Sequence, residues 1–211
     1  MNAPAELSRP DAVVTPEDQA RANWYLFLAR LFRAPPDDQT LQSLRSAALD
    51  EAVPEPSSPL LHAWNELLLA AQRADAQRVR VEYDEAFIGV GKSEVTLNAS
   101  WYLTGFLHER PLAELRERLA ALGLARREGI AETEDHIASL CEVMAWLITR
   151  GDQRVEAIDV QREFFQRFLA PWYERLADAL QASATVDFYR PAGRVLREFL
   201  EVERQAFDFD S

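Results

Sequence analysis

Ile137, Leu140, Cys141, Met144, Leu147 and Ile148 fall at i, i+3, i+4, i+7, i+10 and i+11, and no other feature constrains the fold of this chain as strongly. Successive residues of an α-helix turn by ~100°, so these side chains form one wide apolar stripe. The spacing predicts a helix over 133–149 buried against other helices. The same period recurs along the chain. Thr15-Pro16-Glu17-Asp18 supplies a hydroxyl cap, a first-turn proline and acids. Ala20, Trp24, Phe27, Leu28 and Leu31 continue that helix until Pro35-Pro36 stops it. Further helices are predicted over 39–49, 60–74, 76–87, 111–122, 160–169 and 172–180. A last one carries Val195, Leu196, Phe199 and Val202 and is reached through Pro191. No alternating strand pattern of useful length appears. The expected fold is all-α, a single-domain bundle of roughly nine to eleven helices over 15–207. A disordered lead-in (1–14) is expected before it and a loose acidic tail (208–211) after it.

Charge narrows the partners. A net charge of −12 over 211 residues opposes nucleic acid, whose phosphates demand excess Lys and Arg, and favours a positively charged partner. Cys141 is the only cysteine, which excludes an intrachain disulfide and a C-x-x-C motif. Residues 1–14 show neither the basic start nor the apolar centre of a secretory signal. No apolar run approaches the ~20 residues that span a bilayer, so a reduced cytoplasm is the expected compartment. Gly89-Val90-Gly91-Lys92-Ser93 lacks the first glycine of a phosphate loop, and no apolar strand precedes it. It reads instead as a glycine stop at the end of a helix.

Glu132-Thr133-Glu134-Asp135-His136 crowds acids and a histidine at the expected start of the buried helix. The helix dipole and free N–H groups favour acids there, so Glu132 reads as a cap as readily as a site residue. On a helical wheel His136 sits at the edge of the stripe. Asp135 points away from it, in line with Ser139, Glu142 and Trp146. An acid and an aromatic on one outer face suit a peptide with apolar and basic groups. The competing reading covers this face with a second helix and makes Trp146 core. Acid–base catalysis by Asp135 and His136 is the enzyme alternative, but no serine or cysteine nucleophile stands beside a base in a recognisable context. A dinuclear metal bundle needs two Glu-x-x-His pairs, and the chain has only His62, His108 and His136. Neither an enzyme nor a cofactor is expected.

Three ordered blocks over about residues 20–180 carry a resemblance. They are Tyr83-Asp84-Glu85-Ala86-Phe87 with Gly89, then Ser100-Trp101-Tyr102, then Glu132 to His136. Phe165, Phe168-Leu169 and Pro171-Trp172 add a later aromatic helix. In these blocks the chain resembles the TorD/DmsD-like cytoplasmic chaperones of molybdopterin enzymes. The resemblance implies two linked partners: the apo catalytic subunit of an exported molybdoenzyme and its twin-arginine leader, held while cofactor is inserted and export is delayed. It implies arginine-facing roles for Glu132 and Asp135, and an orienting or charge-reporting role for His136. Tyr83, Phe87, Trp101 and Tyr102 would line or buttress the apolar part; Ser100, from the same block, and Trp146, placed by the helical wheel, complete the candidate partner-binding residues. Thr133 departs from the family's proline, and Leu97-Asn98 from its proline–aromatic pair. The Asn98-Ala99-Ser100 loop is similar to those of members that accompany formate dehydrogenases. Such chaperones occur as monomers or exchange helices to dimerise. The rival reading is a non-catalytic helical scaffold without leader recognition.

Overall fold

The structure is a computed structural model that describes residues 14–47, 58–89, 93–126, 129, 132–150 and 156–209. Among them the chain forms α1 (Pro16–Arg33), α2 (Asp38–Ser46), α3 (Pro59–Arg73) and α4 (Ala76–Tyr83), the last running into a π turn (Asp84–Ile88). There follow α5 (Ala99–Thr104), α6 (Arg110–Ala121), α7 (Ile137–Thr149), α8 (Glu156–Phe168), α9 (Tyr173–Ala182) and α10 (Tyr189–Phe209). No strand occurs among the described residues, and the all-α expectation holds. No described helix is long and apolar enough to cross a membrane.

The predicted stripe does what its spacing requires. Ile137, Leu140, Cys141 and Met144 are fully buried, and α7 lies between α1 and α8. The long α10 packs on α3 and α9 and reaches α1, while α5 and α6 pair with each other. Arg21 donates through Nε and Nη2 to the two carboxylate oxygens of Glu203, 2.8 Å each, and the Tyr25 hydroxyl donates to Glu203 at 3.1 Å, tying α1 to α10. Glu82 of α4 accepts from the N–H groups of Phe188 (3.1 Å) and Tyr189 (2.8 Å), capping the start of α10. A Cβ on Gly193 would stand 2.8 Å from Leu180 Cδ1, so glycine is what lets α10 approach α9 this closely.

Several elements differ from expectation. Helix α8 begins at Glu156 rather than 160, α10 begins at Tyr189 with Pro191 inside it, and the helix expected over 76–87 turns into the π turn at Asp84. Helix α7 begins at Ile137 with His136 as its cap, and residues 132–135 form a turn ahead of it. Helix α10 continues through Phe209, where a loose tail was expected from 208, because Phe207 is buried against Phe165 and its carbonyl accepts from Arg162 Nε at 3.1 Å. Helix α5, six residues long, is too short to show a period. The expected lead-in, apart from Val14, and residues 210–211 lie outside the described residues.

Candidate functional site

The site starts at the π turn. The Gly89 N–H donates to the Asp84 carbonyl at 2.8 Å, five residues back, with Gly89 at a φ of 59°. A glycine adopts that left-handed backbone without strain, so the glycine stop read from sequence is real. Residues 90–92 of the rejected phosphate loop lie outside the described residues. Tyr83 sits just before the turn and donates its hydroxyl to the carbonyls of Phe32 (3.1 Å) and Arg33 (3.0 Å) at the end of α1. Its ring meets Phe87 edge-on at 5.0 Å, and Phe87 meets Tyr189 at 4.9 Å. The chain then runs antiparallel to the turn before α7. Ile137 N–H donates to Leu97 O at 2.9 Å, and Ala99 N–H to Asp135 O at 3.0 Å.

These segments enclose a groove of about 540 Å³. The π turn region contributes Tyr83, Phe87 and Ile88, and the next segment Ser93, Thr96, Leu97 and Asn98. Trp101, Gly105, Phe106 and Leu107 come from α5 and the loop after it, and Glu132 and His136 from the turn before α7. Ile88 is 63% exposed and Phe106 68%, so large apolar side chains stand open to water beside the groove. Gly105 (φ 83°) and His108 (φ 62°) hold the Phe106–Leu107 tip between two left-handed residues.

Charge enters through Glu132, whose side chain is 34% exposed. Arg33 reaches it only loosely at 3.8 Å, while pairing with Glu142 at 2.8 Å. Asp135 is different: it is 2% exposed. Its carboxylate accepts from Ser100 N–H at 2.9 Å, from Asn98 Nδ2 at 3.1 Å, and from the hydroxyls of Ser100 and Thr133. Burial pushes its pKa up, but hydrogen bonds from Ser100, Thr133 and Asn98 outweigh burial and hold it below the usual value. For His136 burial dominates, helped by Arg33, and its pKa falls to about 4. The ring is therefore neutral near pH 7. Its Nδ1 accepts from Ala138 N–H at 3.2 Å, which leaves the proton on Nε2.

The residues singled out from sequence thus separate. Tyr83, Phe87, Trp101, Glu132 and His136 line one groove. Asp135 does not face outward as expected, and Ser100, its partner, is buried with it. The physical reason is the late start of α7: a wheel drawn backward from its stripe does not describe a turn. His136 reports no charge near neutrality, for the same burial. Tyr102 is also buried; its ring stacks on Trp172 at 5.5 Å, and Arg175 donates to its carbonyl. Trp146 lies farther along α7, packed against the core with Arg150 5.1 Å above its ring, and does not line the groove. No cluster of three or more His, Cys, Asp or Glu that could hold a metal occurs among the described residues. Burial raises the pKa of the Cys141 thiol, so it is not poised as a nucleophile.

The profile of the nitrate reductase delta subunit family matches residues 47–178. The chain belongs to this family. Its relatives include chaperone protein TorD of Vibrio cholerae serotype O1, 24% identical over 208 residues, covering 90% of this chain and 93% of that one. TorD of Shewanella loihica is 26% identical over 217 residues, with 95% and 99% covered. TorD of Aliivibrio fischeri is 27% identical over 205 residues, with 90% and 95% covered. A crystal structure from Archaeoglobus fulgidus, provisionally assigned as a redox enzyme maturation protein, superposes with a TM-score of 0.58 at 18% identity. It covers 94% of this chain and 99% of its own, and it establishes the shared fold. The TorD-like expectation is thereby met for this member of the nitrate reductase delta subunit family.

Sequence reasoning missed Ile88, Leu97, Phe106 and Leu107 in the groove. The signal was present in Gly105-Phe106-Leu107-His108: adjacent apolar residues after a glycine, outside any helical stripe, have no core to join.

Proposed function

We propose that this protein is a cytoplasmic chaperone whose groove receives the twin-arginine leader of an apo molybdopterin enzyme, holding it while cofactor is inserted and export is delayed. The observation that carries this reading is the groove's lining. Ile88, Trp101, Phe106 and Leu107 offer apolar surface above the buried Tyr83 and Phe87, and Glu132, only loosely engaged by Arg33, offers a carboxylate at the same opening. A leader has a basic start and an apolar middle. Carboxylates take arginine bidentately, and an apolar groove takes a hydrophobic segment. The acidic chain, −12 overall, draws such a segment in. Named relatives described as TorD chaperones support the same reading. The Asn98-Ala99-Ser100 segment supports a formate dehydrogenase subunit as the client. The protein works by binding and performs no bond-making.

Titration calorimetry of the full chain with a synthetic twin-arginine leader tests this. Binding is expected, weakening as salt rises through screening of the exposed carboxylate. Glu132→Gln should weaken it by about three- to tenfold, the worth of one charge-assisted contact reduced by solvent screening at a part-exposed rim. No heat with the cognate leader, together with no retention of the full-length apo-enzyme, would leave the helical scaffold reading in its place.

A further inference from the structure

We propose that Asp135 is a positioning residue: its buried carboxylate fixes the start of α5 and so sets the apolar wall of the groove, while Glu132 meets the guest's arginine. This rests on the reading of the groove as the guest's seat.

The geometry supports a division of labour between the two acids. A carboxylate offers about four lone-pair sites, and Asp135 has Ser100 N–H, Ser100 Oγ, Thr133 Oγ1 and Asn98 Nδ2 on them. A guest guanidinium would have to break those bonds to reach it. The bonds converge on one place. Asn98 precedes α5, and Ser100 lies in its first turn, directly before Trp101. The backbone doubles the tie, since Ala99 N–H donates to Asp135 O at 3.0 Å.

The other ties at that end are apolar and set no orientation: Ala99 is buried in the core and Trp101 packs against it. The main helical contact of α5 is α6, which is seated by the buried Leu112, Leu115 and Leu119 together with ion pairs such as Arg116–Glu134 at 2.9 Å and Arg167–Glu114 at 3.3 Å. The Tyr102–Trp172 stack anchors a later point of the same helix. Beside Asp135, Ala99, Leu103, Leu115, Leu140 and Phe168 line a cavity of about 110 Å³. That is room for α5 to settle inward once the carboxylate is lost. Trp101, Phe106 and Leu107 would move with it, and the apolar seat would change shape with no change in the charge at its rim.

The test compares Asp135→Asn, Asp135→Ala and Ser100→Ala in the full chain. Binding is measured to a twin-arginine leader and to the same leader with both arginines replaced by glutamine, alongside hydrogen exchange at the Ser100 amide. The asparagine oxygen can keep both bonds to Ser100, and the Asn98 amide can turn over so that its oxygen accepts from the new amide and from the Thr133 hydroxyl. Asp135→Asn should therefore bind within about threefold of the unaltered protein, whereas Asp135→Ala should lose about tenfold and exchange faster at Ser100. The loss from Asp135→Ala should be equal for the two leaders, while that from Glu132→Gln should vanish with the glutamine leader, the absence of coupling being the mark of an indirect role. If Asp135→Ala does not fold, Ser100→Ala, which removes one hydroxyl from the network, should show a smaller loss of the same uncoupled kind. Asparagine as damaging as alanine, with a loss that depends on the leader's arginines, would overturn the proposal. Absence of binding by the unaltered protein would defeat the groove reading itself and leave exchange at Ser100 to decide whether Asp135 holds α5.

Discussion

His136 shows how burial turns a titratable residue into a structural one. Its pKa lies near 4 in the folded chain against about 6.5 when exposed. Between those values the unfolded chain binds the proton and the folded chain does not, so stability is full above about pH 6.5 and declines as pH falls toward 4. The decline should reach about 3 kcal/mol, read from urea unfolding at successive pH values. His136→Asn keeps an acceptor at the cap and should flatten this dependence. Asp135 acts at still lower pH: its folded pKa is depressed, so its contribution persists until pH falls below the ordinary aspartate range. Both residues stood out in the sequence as a pair. Their environments did not, because neither the Ser100 amide nor the Arg33 charge is adjacent in the chain.

Among the elements, helix interiors were more legible than helix ends. The stripe of α7 follows from spacing alone, since a period of 3.6 residues needs only local sequence; on α1 the buried face is shifted to Ala22, Tyr25, Leu28, Ala29 and Phe32. The start of α7 was misplaced because acids at 132–135 favour a helix N-terminus equally well when they sit just before it. What moved the boundary is the segment 97–99, which takes the backbone of Asp135 and Ile137 into an antiparallel bridge. Helix α10 has a start of the same kind, since its cap comes from α4. Glu82→Ala leaves the N–H groups of Phe188 and Tyr189 without their acceptor and should lower stability by about 1–2 kcal/mol. Glu82→Gln should lose less, because an amide oxygen still accepts; urea midpoints of the two variants separate these outcomes.

For the whole molecule, closure depends on α10 returning to α1. Glu203 is 2% exposed and takes both Arg21 and the Tyr25 hydroxyl. Glu203→Ala leaves Arg21 without its main partner and Tyr25 without an acceptor. The cost should be roughly 2–3 kcal/mol, reduced from a fully buried pair because Arg21 keeps access to water, and it should appear as a lower unfolding midpoint. Helices far from this clamp should keep their circular dichroism below the transition. The groove lies at the other end of the same logic, where α1, α4, α5 and α7 meet through Tyr83, Trp101 and His136.

Local spacing determined that this chain is helical and that α7 is buried. Composition determined a net charge of −12, suited to a basic partner. Only the tertiary structure decided which acid faces the groove. Glu132 is left at the rim, while Asp135 is enclosed by Asn98, Ser100 and Thr133. The reason is range: amphipathic period is written in neighbours three and four residues apart, whereas the solvation of a carboxylate is set by donors some thirty-five residues away in the chain.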